Sequence, residues 1–229
     1  AGTCVYFLFA KADGAHSKPK VYIGEAENAL SRLKSHVAEK EFWSEAVVFI
    51  SKDDNLNKAH IKHLESKFYQ SAIEAERYDV ENANRPTLSA ISEPDQAEMV
   101  EFALNIKLLL GTLGFKVFEP LVERSDGNTP DSFEQKIFYL SGVGAVSAQG
   151  HQSAEGFVVY KNSVAKGHFS ASVHDRYLKI RDDLIIDGVV DTKADGLVFN
   201  DNYLFSSPSS AATVLLGRNA NGLIEWKTQ

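Results

Sequence analysis

Five side chains in the N-terminal half have types and spacings that phosphodiester hydrolysis could use. Tyr6 lies in an aromatic, β-branched run, Tyr22 opens the triplet Tyr22-Ile23-Gly24, Arg32 and His36 stand four residues apart, and Glu65 sits in a long helical stretch. Cleaving a phosphodiester needs an activated water, neutralisation of charge on the phosphoryl oxygens and help for the leaving oxygen. One hard divalent cation on a carboxylate supplies the last two. A planar guanidinium such as that of Arg32 matches phosphate oxygens bidentately. A tyrosine used as base starts at a disadvantage: a phenol titrates near 10, which is roughly 4 kcal/mol against the phenolate at pH 7, so a neighbouring cation has to lower it. Other hydrolytic templates fail in this half, which holds no Ser-His-Asp elbow, no glycine-rich phosphate loop and no HExxH. Cys4 sits in an apolar strand pattern and reads as a small buried hydrophobe.

The elements that must carry these residues are legible from periodicity. Thr3 to Ala10 reads as a strand, ADGAHSKPK as a long turn, and Val21 to Gly24 as a second, short strand. Leu30, Leu33 and Val37 then recur at helical spacing, and Ala46 to Ser51 reads as a buried strand. A helix over about 57–76 places Ile61, Leu64, Phe68 and Ala72 on its core-facing side, and Glu65, one position off that stripe, at its edge. Ser92 followed by Glu93, Pro94 and Asp95 predicts the start of a third helix that Gly114 closes. The predicted order is β-β-α-β-α-α. His60 and His63 stand beside Glu65 without a convincing third ligand, and read as solvated helix residues rather than a zinc site.

VYF, then KVYIGEAENALSRLKSH, then HLESKFYQSA and a downstream VENANRP together resemble the GIY-YIG nuclease superfamily over about residues 3–118. The resemblance implies an α/β (α+β) fold in which a small antiparallel sheet is flanked by helices. It also implies a divalent-metal-dependent endonuclease, with Mg2+ or Mn2+ held by Glu65. Tyr6 would orient or deprotonate water, Tyr22 would support it, and the cation and Arg32 would shift the phenol downward. His36 and Asn82 complete the implied catalytic set, with Asn84 the alternative asparagine. Gly24 and Lys34 would lie on the substrate side. Cys4 stands where the family's first motif has glycine, and the tyrosines are further apart than usual because of the inserted turn. DNA is the expected substrate. An RNA phosphodiesterase and a catalytically inactive nucleic-acid-binding or regulatory module are the alternatives.

The stretch PLVERSDGNTPDSF combines Pro, Gly, Asn, Ser and Asp and reads as a linker over 120–133, dividing a domain at 1–119 from a second small α+β domain at 134–229. In the latter, Phe157–Tyr160 and Gly196–Phe199 read as strands, and Val173, Tyr177, Ile180 and Leu184 as a helix face. Ser207-Pro208 opens a helix that Gly217 stops. FVVYKNSVAKG and YLFSSPSSAATVLLGRNANGLIEWK resemble the small domain of uncharacterised function that follows GIY-YIG modules in bacterial restriction-like proteins, and also the restriction- and adenine-methylase-associated domain. The residues themselves suit packing: Ala211 and Ala212 for close approach, Asn221-Gly222 for a tight turn, Trp226 for the core. This domain is the expected seat of target recognition, a protein partner or a homodimer contact, with the serine-rich helix start as its phosphate contact.

Composition narrows the classes. Hydrophobic residues at 44% and charged residues at 24% exclude a disordered chain, and no apolar run reaches the 18 to 20 residues of a membrane span. No basic-then-apolar signal segment opens the chain, and one cysteine excludes a disulfide framework, so a soluble cytoplasmic protein is expected. A net charge of -7 argues against nonspecific coating of nucleic acid. Any polyanion must be gripped by a local basic track, for which Lys18, Lys20, Lys34, Lys62, Lys67 and Arg85 are candidates.

Overall fold

A computed structural model describes residues 2–14, 16–39, 42–51, 55–121, 136–194 and 196–228. They divide into two compact units, Ala1–Asp13 with Lys18–Pro120 and Gly14–Ser17 with Leu121–Gln229. Two small sheets and six helices make the architecture α+β. The linker expected at 120–133 lies almost wholly outside the described residues.

In the first unit the elements are β1 (Cys4–Ala10), β2 (Lys20–Ala26), α1 (Ala29–Glu39), β3 (Glu45–Ile50), α2 (Lys58–Ala75), β4 (Asp79–Val80) and α3 (Glu93–Thr112). The sheet order is β3-β1-β2-β4, with β1 antiparallel to both neighbours and β4 parallel to β2. β2 runs two residues beyond the predicted Gly24 because β1 offers partners as far as the Cys4–Ala26 pair. Alternation along β1 splits its side chains between two cores. Val5, Phe7 and Phe9 join Val21 and Ile23 under α2 and α3, while Cys4, Tyr6 and Leu8 face Ala29 and Leu33 of α1.

Helix ends follow their caps. Asn57 Oδ1 accepts the amides of Ala59 and His60, and His60 completes a capping box. This corrects the expectation for the histidine pair. His60 is buried, with Nδ1 against the Asn55 carbonyl, and His63 Nδ1 lies 3.1 Å from the Ser89 carbonyl, so local backbone groups occupy both rings. Ser92 caps α3 through the Asp95 amide, and α3 buries Met99, Ile106 and Leu110 while Val100, Leu104 and Leu108 stay exposed.

α1 departs most from its apolar pattern. Leu30 and Val37 are exposed, and the inward side of the helix is Ala29, Leu33 and fully buried His36. The helix is rotated so that a polar residue enters the sheet's second core.

The second unit contains β5 (Ile137–Ser141), β6 (Ser147–Ser153), β7 (Gly156–Val159), β8 (Val164–Ala165), α4 (Asp175–Ile186), β9 (Val190–Lys193), β10 (Gly196–Phe199), β11 (Tyr203–Phe205), α5 (Pro208–Leu216) and α6 (Gly222–Glu225). Its sheet runs β11-β7-β6-β8-β10-β9, with β5 paired to β6. α5 is buried along Ser210–Leu216, and the Trp226 ring lies 4.5 Å from that of Phe157, tilted by 42°, while its Nε1 donates to the Pro208 carbonyl. Asn221 caps α6 by accepting the Leu223 amide, so Asn221-Gly222 begins a helix rather than the tight turn expected. Ser207 Oγ takes the Ser210 amide and Ser209 Oγ takes the Gly222 amide, which turns the serine-rich helix start toward packing. Among the described residues no helix is long and apolar enough to cross a membrane.

Gly217 ends α5 at φ 65°, and a Cβ there would lie 2.4 Å from the His168 carbonyl oxygen. Gly217→Ala therefore combines left-handed strain with a backbone clash and should lower unfolding free energy by about 1–3 kcal/mol. An unchanged urea midpoint would refute this account of the helix end.

Candidate active site

The register of the β1–β2 hairpin sets Tyr6 directly across from Gly24. A Cβ on Gly24 would sit 2.3 Å from both Cζ and Oη of Tyr6, so the phenol rests in the space that only glycine leaves. Gly24 is thus the floor under the phenol. Tyr22, two residues back on the same face, brings its ring centroid to 6.2 Å from that of Tyr6.

α1 covers this pair. Tyr6 Oη and His36 Nε2 share a 2.7 Å hydrogen bond, and Arg32 Nε donates to the same Oη at 3.3 Å. The imidazole also meets Tyr22 edge-on at 5.1 Å. Arg32 stands on the exposed side of α1 and reaches inward, while His36 is wholly buried. Positions i and i+4 of the helix thus converge on one oxygen from two directions.

The protein's own groups set the phenol's acidity in one direction. Burial is the largest influence and pushes the Tyr6 hydroxyl well above its ordinary value, Tyr22 adds to this, and Arg32 opposes it only in part. At neutral pH Tyr6 therefore keeps its proton. The hydroxyl lies within hydrogen-bond reach of His36 Nε2, the ring nitrogen that the register and the helix bring to it.

Glu65 is half-buried on α2, and its carboxyl is pushed up to about 7. Desolvation is the main cause and Glu25 the second. Lys58, Arg32 and Lys62 act in the opposite sense, which puts the Glu65 carboxylate in the electrostatic neighbourhood of Arg32. Sequence reasoning missed Glu25 and Lys58. Lys58 Nζ is 2.8 Å from each oxygen of Glu25, whose side chain is 14% exposed. The local signal was present: Glu25 follows Gly24 directly, and Lys58, Lys62 and Glu65 recur at four- and three-residue spacing.

Asn82 has a main-chain task. Its Oδ1 accepts the Ile23 amide at 3.0 Å and its Nδ2 donates to the Ile23 carbonyl at 2.7 Å, so one side chain pairs with the edge of β2 just beyond β4. The asparagine thereby holds the Tyr22-Gly24 segment in register, and Asn84 stays exposed. Lys34 is exposed on α1, apart from the phenol. Of the basic track, Lys20 is tied to Asp13 and Glu81, and Arg85 donates to Gln70, while Lys34, Lys62 and Lys67 are exposed.

Among the described residues no group of three His, Cys, Asp or Glu side chains is disposed to hold a metal ion. Glu65 alone fits a cation such as Mg2+, which takes one or two carboxylates and fills its octahedron with water and substrate oxygens. It does not fit Zn2+, which prefers three or four nitrogen or sulfur ligands.

The raised Glu65 carboxyl has a stability consequence. In the unfolded chain it titrates near 4.5 and in the folded chain near 7, so the folded state holds the proton more tightly between these values. Its contribution is full below pH 4.5 and declines as pH rises through 7. Glu65→Gln should therefore gain Tm relative to the parent as pH increases from 5 to 8, and Mg2+ or Mn2+ should narrow the gap by stabilising the parent alone. A pH-independent Tm difference would refute the desolvated carboxyl. In the same assay Gly24→Ala should lower Tm and raise the exposure of Tyr6 to solvent quenchers, and unaltered Tyr6 fluorescence would refute the close approach.

Residues 138–229 match the family model described as "Domain of unknown function (DUF4357)". This is compatible with the resemblance of the C-terminal segment to a small domain of uncharacterised function. No curated protein and no solved structure matches the chain. The C-terminal segment thus carries a DUF4357 domain.

Proposed function

We infer that the chain is a divalent-metal-dependent endonuclease of GIY-YIG type acting on DNA in a reducing cytoplasm. The observation that carries the reading is the convergence of His36 Nε2 and Arg32 Nε on the Tyr6 hydroxyl, in a seat that only Gly24 permits. Packing alone explains neither a histidine turned inward in place of Leu30 and Val37 nor two nitrogen groups on one phenol.

The chemistry follows from these positions. Deprotonating a buried phenol outright is unfavourable, since even an ordinary one lies about three units above neutrality. Tyr6 therefore takes a proton from the attacking water as it passes its own to His36 Nε2, and no free phenolate need accumulate. Arg32, exposed on α1 and linked to both tyrosines, would present its guanidinium to the phosphoryl oxygens, where negative charge grows in the transition state. Tyr22 walls the phenol, and Asn82 keeps the strand carrying Tyr22 and Gly24 in place. A Mg2+ or Mn2+ ion on Glu65 would neutralise a nonbridging oxygen and assist the leaving oxygen. With a carboxyl near 7, loading of that position should strengthen as pH rises through neutrality.

The test is incubation of the full chain with plasmid, single-stranded DNA and RNA, with Mg2+ or Mn2+ and with chelator. Metal-dependent cleavage of DNA is expected. Glu65→Gln should abolish it while the fold persists, and Tyr6→Phe should lower it by about 100-fold or more with little loss of packing. Cleavage of RNA alone would redirect the reading to an RNA phosphodiesterase. Binding without cleavage would make the module catalytically inactive, and parental rates in both variants would remove these residues from the site.

A further inference from the structure

One close ion pair at this site has no task in the nuclease reading. Lys58 Nζ bridges both oxygens of Glu25 at 2.8 Å, and while Glu25 is largely shielded, the Lys58 side chain keeps 44% of its surface exposed. Helix formation does not favour the arrangement, because Lys58 is the first residue of α2, where the positive end of the helix dipole repels a cation. What the position does achieve is placement. Lys58, Lys62 and Glu65 share one face of α2, and Glu25 is the residue after the glycine that seats the Tyr6 phenol. The pair brings an ammonium, open to solvent on one side, between the end of β2 and the helix that carries the candidate metal carboxylate.

We propose that Lys58 grips a nonbridging oxygen of the substrate phosphate beside Glu65, and that Glu25 is the positioning residue holding the ammonium there until the phosphate arrives; this rests on the endonuclease reading. An ammonium donates three hydrogens and has no fixed plane, so it can keep one contact to Glu25 while turning another to a phosphate oxygen. Glu27, 69% exposed, lies 4.0 Å from the same ammonium, so the phosphate would join carboxylates already beside Lys58 in a protein whose overall field repels polyanions.

The experiment uses the full chain and the nucleic acid that the parent cleaves, with cleavage kinetics in Mg2+ or Mn2+, metal-free binding across a salt series, and Tm. Lys58→Met keeps the aliphatic stem and removes the charge. It should lower kcat/KM by about 10- to 100-fold and make the slope of log affinity against log salt shallower by about 0.9, the share of one phosphate contact on duplex DNA. Lys58→Arg should restore most of both. Glu25→Gln should leave the salt slope intact and reduce kcat without raising KM, because the ammonium remains but is no longer aimed. Parental kinetics and slope in Lys58→Met, or equal Tm losses in Lys58→Met and Glu25→Gln with unchanged kinetics, would overturn the proposal and leave a plain surface ion pair. Loss of metal-dependent stabilisation in Glu25→Gln would also overturn it by making Glu25 a metal ligand. A parent chain that neither binds nor cleaves overturns the endonuclease reading and this proposal together, whereas cleavage by the parent with an indifferent Lys58→Met overturns this proposal alone.

Discussion

The candidate site depends on the absence of a side chain at position 24. The antiparallel register of β1 and β2 puts Gly24 opposite Tyr6, and the phenol lies down over the glycine at a distance no Cβ would tolerate. Once the ring is laid there, its hydroxyl points under α1, and the helix must answer it. Arg32 and His36 do so from consecutive turns. Asn82 then secures the same strand from its other edge by pairing with both main-chain groups of Ile23. A displacement of the hairpin by one residue would turn Tyr6 to the opposite face and dissolve the whole arrangement.

Burial raises both of the site's acids, to different ends. The Tyr6 phenol is pushed away from ionisation and keeps its proton at neutral pH. The Glu65 carboxyl is pushed only to about 7, within reach of physiological pH, where an arriving cation can displace the proton. Desolvation dominates in both cases, and the difference lies in the company. Tyr22 adds to the burial of Tyr6 and Arg32 alone opposes it, whereas Glu25 adds to that of Glu65 and Lys58, Arg32 and Lys62 together counter it. In a chain with a net charge of -7, three cations thus offset part of the desolvation of this carboxylate.

The second unit is built on different terms. Its sheet is longer and covered by α5, a helix whose residues from Ser210 to Leu216 are all buried, and Trp226 closes the core against Phe157 while its indole nitrogen finds the Pro208 carbonyl. The serine hydroxyls at the start of α5 serve the fold's own amides. Ser207 is thus the cap that its place before Pro208 implies, and Ser209 ties α5 to the start of α6.

The sequence by itself determined the features that depend on near neighbours along the chain. The stripe Ile61, Leu64, Phe68 and Ala72, the caps Ser92 and Ser207, and the apolar run of β1 are written in spacings of one to four residues, and each forms where it was expected. The residues Tyr6, Tyr22, Arg32 and His36 were also legible as a set. Tertiary structure decided what that set does with its surroundings. It turned α1 so that His36, not Leu30 or Val37, is buried, because the Tyr6 hydroxyl needs a partner under that helix. It paired Glu25 with Lys58 across 33 positions of sequence, recruited Asn82 to the edge of β2 across 59, and buried His60 beneath its own cap. It also set the Tyr6 phenol above its ordinary value, since desolvation is a property of the assembled core and outweighs the Arg32 guanidinium by itself. Several short strands of the second unit, such as β8 with two residues and β11 with three, carry too few side chains for any period to register, and exist because longer neighbours offer them hydrogen bonds.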